Sequence, residues 1–193
     1  MLGAGGFTVG RRPTVQSLLR VSQVIDWING KFGKFANAMV VLACIVSAAN
    51  AMIRYAFNIS SNAWLEVQWY MFAGVVMLGA SYTFQRNEHV RVDIFYLQAG
   101  ERGQHWVDIF GIIFFLLPAC VLFTWLSWPF FMHSYIENEY SNNAGGLLRW
   151  PVKLLIPLGF TLLALQGISE LIKRFAALQG LIRIESKYER PTQ

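Results

Sequence analysis

The chain has 193 residues, of which 55% are hydrophobic and 14% are charged. A soluble domain has roughly 25% charged residues, and a chain this short has too much surface to hide such an apolar excess in its core. The composition therefore excludes an ordinary soluble globule and indicates a protein of the lipid bilayer. The net charge of +5 does not indicate nucleic-acid binding, because the basic residues form no continuous stripe with interleaved aromatic side chains.

The first 34 residues are predicted to form a cytoplasmic leader. Apolar residues recur in it at steps of three and four, at Leu18, Val21, Ile25, Ile28 and Phe32. This spacing predicts an amphipathic helix lying on the membrane surface, although a leader without regular structure is the alternative. No cleavable signal peptide is predicted, because the first strongly apolar run begins only at Phe35 and is too long for a signal core.

Four later segments are apolar and long enough to cross the hydrocarbon core as helices. They cover about residues 35–53, 63–84, 109–129 and 154–172. Pro118 predicts a kink within the third span, and Glu170, near the far end of the fourth, has no assigned role. The sequence thus predicts an all-α integral membrane protein with a four-helix membrane domain over 35–172 and a cytoplasmic tail over 173–193.

The basic residues divide unequally between the two sides of such a bundle. Of the 16 Lys and Arg residues, 13 lie in the leader, the second loop and the tail, and three lie in or beside the first and third loops. Cytoplasmic segments carry the excess of Lys and Arg. Both termini are therefore predicted to be cytoplasmic, with the first and third loops on the opposite, periplasmic side.

The residues that commonly carry chemistry do not form a site in this sequence. Haem held inside a helix bundle needs histidines within the spans, whereas His89 and His105 lie in the second loop and His133 lies past the third predicted span. Cys44 and Cys120 lie in apolar runs without ligand or disulfide spacing. No nucleotide-binding loop, nucleophile elbow or zinc helix motif occurs, so we predict a non-enzyme with no cofactor, metal site or substrate-binding residue.

Glu66 is the most informative polar residue, because a carboxylate beside a membrane span is costly unless it is paired, hydrated or functional. The neighbouring Trp64 and Trp69 are typical of the membrane interface. Two interpretations remain open: a solvated carboxylate favoured by the helix dipole, or a hydrogen-bonded contact to another helix or subunit. A proton-coupling role would place the acid nearer the membrane centre.

Two loops carry further candidates. The second loop has a mixed-charge segment containing Arg91 and Asp93, whose apolar neighbours indicate a segment lying in the interface or against protein rather than a solvated connector. The third loop, from Pro129 to Pro151, is rich in turn residues and is either a linker or a surface for a soluble partner. The candidate subunit-contact or structural residues are Glu66, Trp69, Arg91, Asp93, Glu137 and Trp150.

Several of these motifs, in this order, resemble the small membrane subunit of tripartite ATP-independent periplasmic (TRAP) transporters. They are Arg54-Tyr55-Ala56-Phe57-Asn58, Trp64-Leu65-Glu66, Glu88-His89-Val90-Arg91-Val92-Asp93 and Arg149-Trp150-Pro151. The resemblance covers about residues 35–175, and the pattern around Trp150 is most similar to the mannitol, chloroaromatic or carboxylate branch. One departure is Glu66-Val67, where many family members carry two adjacent acids.

The resemblance implies a non-catalytic scaffold subunit of a secondary transporter that imports an organic acid or related small solute, driven by a sodium gradient. The implied partners are a large TRAP membrane subunit, a periplasmic solute-binding protein and the lipid of the bacterial inner membrane. Glu66, Arg91 and Asp93 are implied to be structural or subunit-contact residues. Two alternatives stay open at this point: an autonomous small four-helix exporter, and a membrane anchor subunit of a redox complex.

Overall fold

The computed structural model describes residues 13–58, 61–88 and 100–182 of the chain. These ranges contain α1 (Pro13–Phe57), α2 (Asn62–Arg86), α3 (Gly100–Gly111), α4 (Leu117–Ile136) and α5 (Trp150–Leu178), with a π-helical segment (Ile112–Leu116) joining α3 to α4. The β pairing within the same ranges is one isolated bridge between Tyr140 and Leu148. The prediction of an all-helical fold is confirmed for this part of the chain.

In the described part of the chain, three helical stretches are long and apolar enough to cross a membrane: Val15–Phe57, Arg102–Ile136 and Trp150–Leu178. They contain the predicted first, third and fourth spans. The second predicted span lies in α2, whose 25 residues extend about 37 Å at 1.5 Å per residue, but α2 is not among the three most apolar stretches. A count of four spans, and the side on which the termini lie, therefore stay predictions.

The N-terminal leader continues directly into the first predicted span. Residues 18–32 are helical and belong to one helix of 45 residues. Ser22 and Asn29 are buried, whereas Leu18 and Val21 are 48% and 50% exposed. The location of this part of α1 on the membrane surface stays a prediction. Within a membrane bundle, small and polar side chains let helices approach and bond, while apolar side chains face outward.

The third predicted span is longer and less regular than expected. It continues past Pro129 to Ile136, and a π-helical segment lies directly before Pro118, where the sequence predicted a kink. Proline has no N–H to donate, and its ring crowds the carbonyl four residues earlier. The turn before Pro118 is wider than an α-helical turn, because the N–H of Leu117 donates to the carbonyl of Ile112, five residues back.

The last helix, α5, lies at the centre of the bundle. It packs against α1, α2, α3 and α4, and α1 also packs along α2; among the described residues, α4 packs only against α5 and the π-helical segment. A Cβ atom added at Gly159 would lie 2.7 Å from the backbone oxygen of Met77, so glycine is what lets α5 approach the backbone of α2. A small core of Ala36, Leu78 and Leu162 fills the contact between α1, α2 and α5.

Candidate functional site

Two polar clusters lie near opposite ends of α5. The loop-binding cluster joins α2 to the loop before α5 and consists of Asn62, Glu66 and Tyr70 with loop residues 141–148. The ion-pair cluster joins α1, α3 and α5 and consists of Asp26, Asp108, Glu170, Lys173 and Arg174. Both clusters hold charged side chains that are largely withdrawn from solvent, so both need an explanation.

The loop-binding cluster arises from a spacing of four residues along α2, which places three polar side chains on one helix face. The amide of Asn62 donates to the carbonyl of Ala144 (Nδ2–O 3.1 Å). Two turns later, the hydroxyl of Tyr70 donates to the carbonyl of Leu148 (Oη–O 2.9 Å). Glu66 lies between them and makes the largest number of contacts.

The Glu66 carboxylate is 3% exposed and accepts three hydrogen bonds from the loop. Its Oε1 atom accepts from the hydroxyl of Ser141 and from Asn143 (Nδ2–Oε1 2.8 Å). Its Oε2 atom accepts from the backbone N–H of Leu147 (N–Oε2 2.7 Å). Glu66 is thus hydrogen-bonded to a loop of its own chain, rather than to the other helix or subunit that the sequence analysis considered.

The loop itself is folded, because its two strands of backbone bond to each other. The N–H of Ser141 donates to the carbonyl of Leu147 (N–O 2.9 Å), and the N–H of Arg149 donates to the carbonyl of Glu139 (N–O 2.8 Å). The Glu139 carboxylate also binds Lys153. The hydrogen bond from the Lys153 ammonium is the main cause that lowers the pKa of Glu139 below its ordinary value of 4.5.

The ion-pair cluster is a chain of alternating charges. Lys173 bridges Asp26 (Nζ–Oδ2 2.7 Å) and Glu170 (Nζ–Oε1 2.9 Å). Arg174 bridges Glu170 and Asp108, the latter at an Nε–Oδ2 distance of 2.8 Å. Arg174 is only 5% exposed. The five side chains therefore tie the C-terminal half of α5 to α1 on one side and to α3 on the other.

Neutral polar side chains extend this cluster between α1 and α5. The hydroxyls of Ser22 and Ser169 are hydrogen-bonded (Oγ–Oγ 2.7 Å). Asn29 donates to Gln166 (Nδ2–Oε1 2.7 Å), and Gln166 in turn donates to Asp26 (Nε2–Oδ1 2.9 Å). The two serines and two amides are essentially inaccessible to solvent. Low-dielectric surroundings strengthen such bonds and make them specific for one packing of the helices.

Trp69, Glu137 and Trp150 are placed differently from Glu66. Trp69 lines an apolar-walled cavity of about 520 Å³ between α2, α4 and α5. Glu137 is exposed and lies 3.3 Å from Nε2 of His133. Trp150 begins α5 and packs edge-on against Tyr135, with ring centroids 5.5 Å apart.

Arg91 and Asp93 lie outside the residues that the structure describes. Within the described ranges, no three His, Cys, Asp or Glu side chains are grouped as a metal ion would require. Among the described candidates, the structure thus brings Glu66 into direct contact with the third loop and places Trp69 at the same cavity.

Sequence reasoning missed most of the ion-pair cluster. Glu170 was noted, but Asp26, Asp108, Lys173 and Arg174 were read as parts of loops, leader or tail. A signal was present: polar residues recur at helical spacing on both facing helices, at 22, 26 and 29 and at 166, 169, 170, 173 and 174. Matching polar faces of this kind indicate helix contact within a membrane bundle.

Comparison with known proteins places most of the chain in a family of membrane transport components. Residues 43–177 match the family model described as "Tripartite ATP-independent periplasmic transporters, DctQ component". The match covers most of the chain, including α2 to α4 and all of α5 except its last residue, whereas Asp26 lies before it. No curated protein and no solved structure matches the chain.

Proposed function

The chain belongs to the DctQ component family of the tripartite ATP-independent periplasmic transporters, and from this premise we propose that it is the bracing subunit of such a transporter. In this role it carries no substrate site and holds the large membrane subunit in place while that subunit transports the solute. The family match over residues 43–177 is the observation that carries the proposal.

The placement of the buried charges supports a bracing role. Glu66 accepts three hydrogen bonds from its own loop, and Glu170 is bound by Lys173 and Arg174. An autonomous exporter needs a carboxylate that can release and take up a proton near the membrane centre. Both carboxylates instead hold helices or loops together, which favours a rigid support.

For the topology, we propose four spans, with α2 as the second, and cytoplasmic termini in a bacterial inner membrane. The distribution of Lys and Arg supports this orientation. It places the loop-binding cluster on the periplasmic side and the ion-pair cluster on the cytoplasmic side. The folded third loop then faces the compartment in which a solute-binding protein would carry the solute.

For the transport reaction, we propose import of an organic acid or related small solute, driven by a sodium gradient. The solute-binding protein would capture the solute, and the large subunit would supply the solute and ion sites. The resemblance of the motifs around Trp150 to the mannitol, chloroaromatic or carboxylate branch supports this substrate class. Loop residues 137–149 are the proposed contact for the solute-binding protein.

The test is to tag the chain in its own host, extract it in a mild detergent and identify the co-purifying proteins by mass spectrometry. We expect a larger, many-span membrane protein in about one-to-one amount. An unrelated tagged inner-membrane protein, extracted in parallel, is the control for proteins that bind any bait. A chain that purifies stably alone or as a homodimer would contradict the proposed role and return attention to the exporter.

A further inference from the structure

A basic cavity lies between α1, α2 and α5, beside the ion-pair cluster. Its volume is about 560 Å³, and its lining includes four cationic side chains and one carboxylate. The cations are Lys31, Lys34, Arg86 and Lys173, and the carboxylate is Asp26. This excess of positive charge predicts an anionic ligand.

The Asp26 carboxylate does not neutralise the other cations of the cavity, because it already binds Lys173 and two neutral donors. Asp26 binds Lys173 (2.7 Å) and accepts hydrogen bonds from Ser169 (Oγ–Oδ1 2.8 Å) and Gln166. In the part of the chain that the structure describes, neither Lys31 nor Lys34 forms a salt bridge. Among the described carboxylates, none therefore pairs with either lysine at the cavity.

Arg86 is a third cation that can hold an anion in the cavity. Its guanidinium donates to the hydroxyl of Tyr82 through Nε (Nε–Oη 3.0 Å), and Glu88 also acts on it electrostatically. The planar set of N–H groups on an arginine matches the geometry of a phosphate.

The cavity also lies at the boundary between polar and apolar surface. Lys31 lies over the ring of Trp27 (5.4 Å to the centroid), an arrangement typical of the membrane interface. The long apolar run of α1 begins directly afterwards at Phe35, which is 54% exposed. An acyl chain can therefore lie along α1 while a headgroup occupies the cavity.

We propose that this cavity binds the phosphodiester headgroup of an anionic phospholipid, with Lys31, Lys34 and Arg86 holding the phosphate. Phosphatidylglycerol carries such a headgroup. These three residues lie outside both polar clusters, whereas Asp26 and Lys173 of the ion-pair cluster line the cavity beside them; the site differs from the bracing role because its ligand is a lipid. Basic cavities between helices at the cytoplasmic side are suited to this chemistry.

Native mass spectrometry of the full chain, purified in detergent with any subunit that accompanies it, tests the site. Phosphatidylglycerol and phosphatidylcholine are added separately. We expect wild type to retain the first and not the second, and Lys31→Gln/Lys34→Gln to bind phosphatidylglycerol about tenfold or more weakly. The matched control, Arg20→Gln/Arg54→Gln, removes the same charge from exposed positions on the same helix and is expected to bind as wild type does.

Three outcomes would overturn the proposal. They are equal retention of the two lipids by wild type, equal loss of phosphatidylglycerol in both double variants, and displacement of the lipid by inorganic phosphate at equal concentration. The last would identify a site for a soluble anion instead. Lys31→Arg/Lys34→Arg keeps the charge and is expected to keep the binding, which separates loss of charge from loss of folding.

Discussion

The two polar clusters solve the same problem, a charge withdrawn from water, in opposite ways. In the loop-binding cluster, a single carboxylate is met by neutral donors, one of them a backbone N–H. In the ion-pair cluster, three carboxylates alternate with two cations. The first arrangement holds a loop on one helix, whereas the second joins three helices. In these two clusters, the bonds to Glu66 thus serve local structure, and the ion pairs of Lys173 and Arg174 serve the packing of the bundle.

The difference also determines how much folding stability is lost when each cluster is broken. Removing one member of a buried ion pair leaves its partner charged and desolvated, which is far more destabilising than the pair is stabilising. Removing a neutral donor leaves the carboxylate with its other hydrogen bonds. We therefore expect damage to the ion-pair cluster to affect the whole bundle and damage at Glu66 to stay within the loop.

The largest effect is expected for Arg174→Leu. The substitution leaves Asp108 without the bond it receives from Arg174 and removes one of the two cations on Glu170, and breaking a buried pair in this way costs about 3–5 kcal/mol. The measurement is the midpoint of unfolding in detergent. The control is Arg54→Leu, which removes an exposed arginine near the C-terminal end of α1. It should change the free energy of unfolding by under about 0.5 kcal/mol. Equal midpoints for the two variants would show that the ion pairs do not hold the helices.

A smaller and local effect is expected for Glu66→Gln. The amide group has one carbonyl oxygen instead of two carboxylate oxygens, so it cannot accept all three bonds from the loop. We expect hydrogen exchange at the Leu147 amide to become roughly tenfold faster, while exchange in α5 stays unchanged. Glu137→Gln alters an exposed acid in the same loop and serves as the control. Unchanged protection of Leu147 would show that Glu66 does not organise the loop.

The smallest effect is expected when the pH is lowered. The pKa of Glu139 is lowered in the folded protein, so its pairing with Lys153 contributes stability above the ordinary pKa of 4.5 and loses it as the pH falls through the lowered value. At neutral pH, hydrogen exchange at the Arg149 backbone amide should be roughly two- to fivefold faster in the Glu139→Gln variant than in wild type. The two rates should converge in acid. A ratio that stays constant as the pH falls would contradict this assignment.

Much of the secondary structure could be predicted from the sequence, because apolar runs of sufficient length specify membrane helices locally. The continuity of α1 across residues 34 and 35 could not be predicted in this way. Lys31 and Lys34 marked a boundary in the charge pattern, yet lysine is a good helix former and its long side chain reaches polar surroundings from within a helix. Charges therefore delimit a span without ending the helix that contains it.

The polar clusters were predictable only in part. Glu66 was identified because a carboxylate beside a span is conspicuous in a sequence. Its loop partners lie about eighty positions away, and Ser22 meets Ser169 across 147 positions. Helical spacing predicts which face of a helix is polar, but it does not predict which other helix meets that face. That information depends on packing, which an isolated periodic pattern does not contain.

The central position of α5 has a consequence for biosynthesis. A ribosome makes this helix after all the other described helices, so α4 enters the bilayer before the helix against which it packs exists. Asp26 and Asp108 are likewise synthesised before their partners Lys173 and Arg174, which lie in the last part of α5. A nascent chain interrupted before Trp150 therefore lacks the two cations that bind these aspartates and leaves α4 without the helix against which it packs.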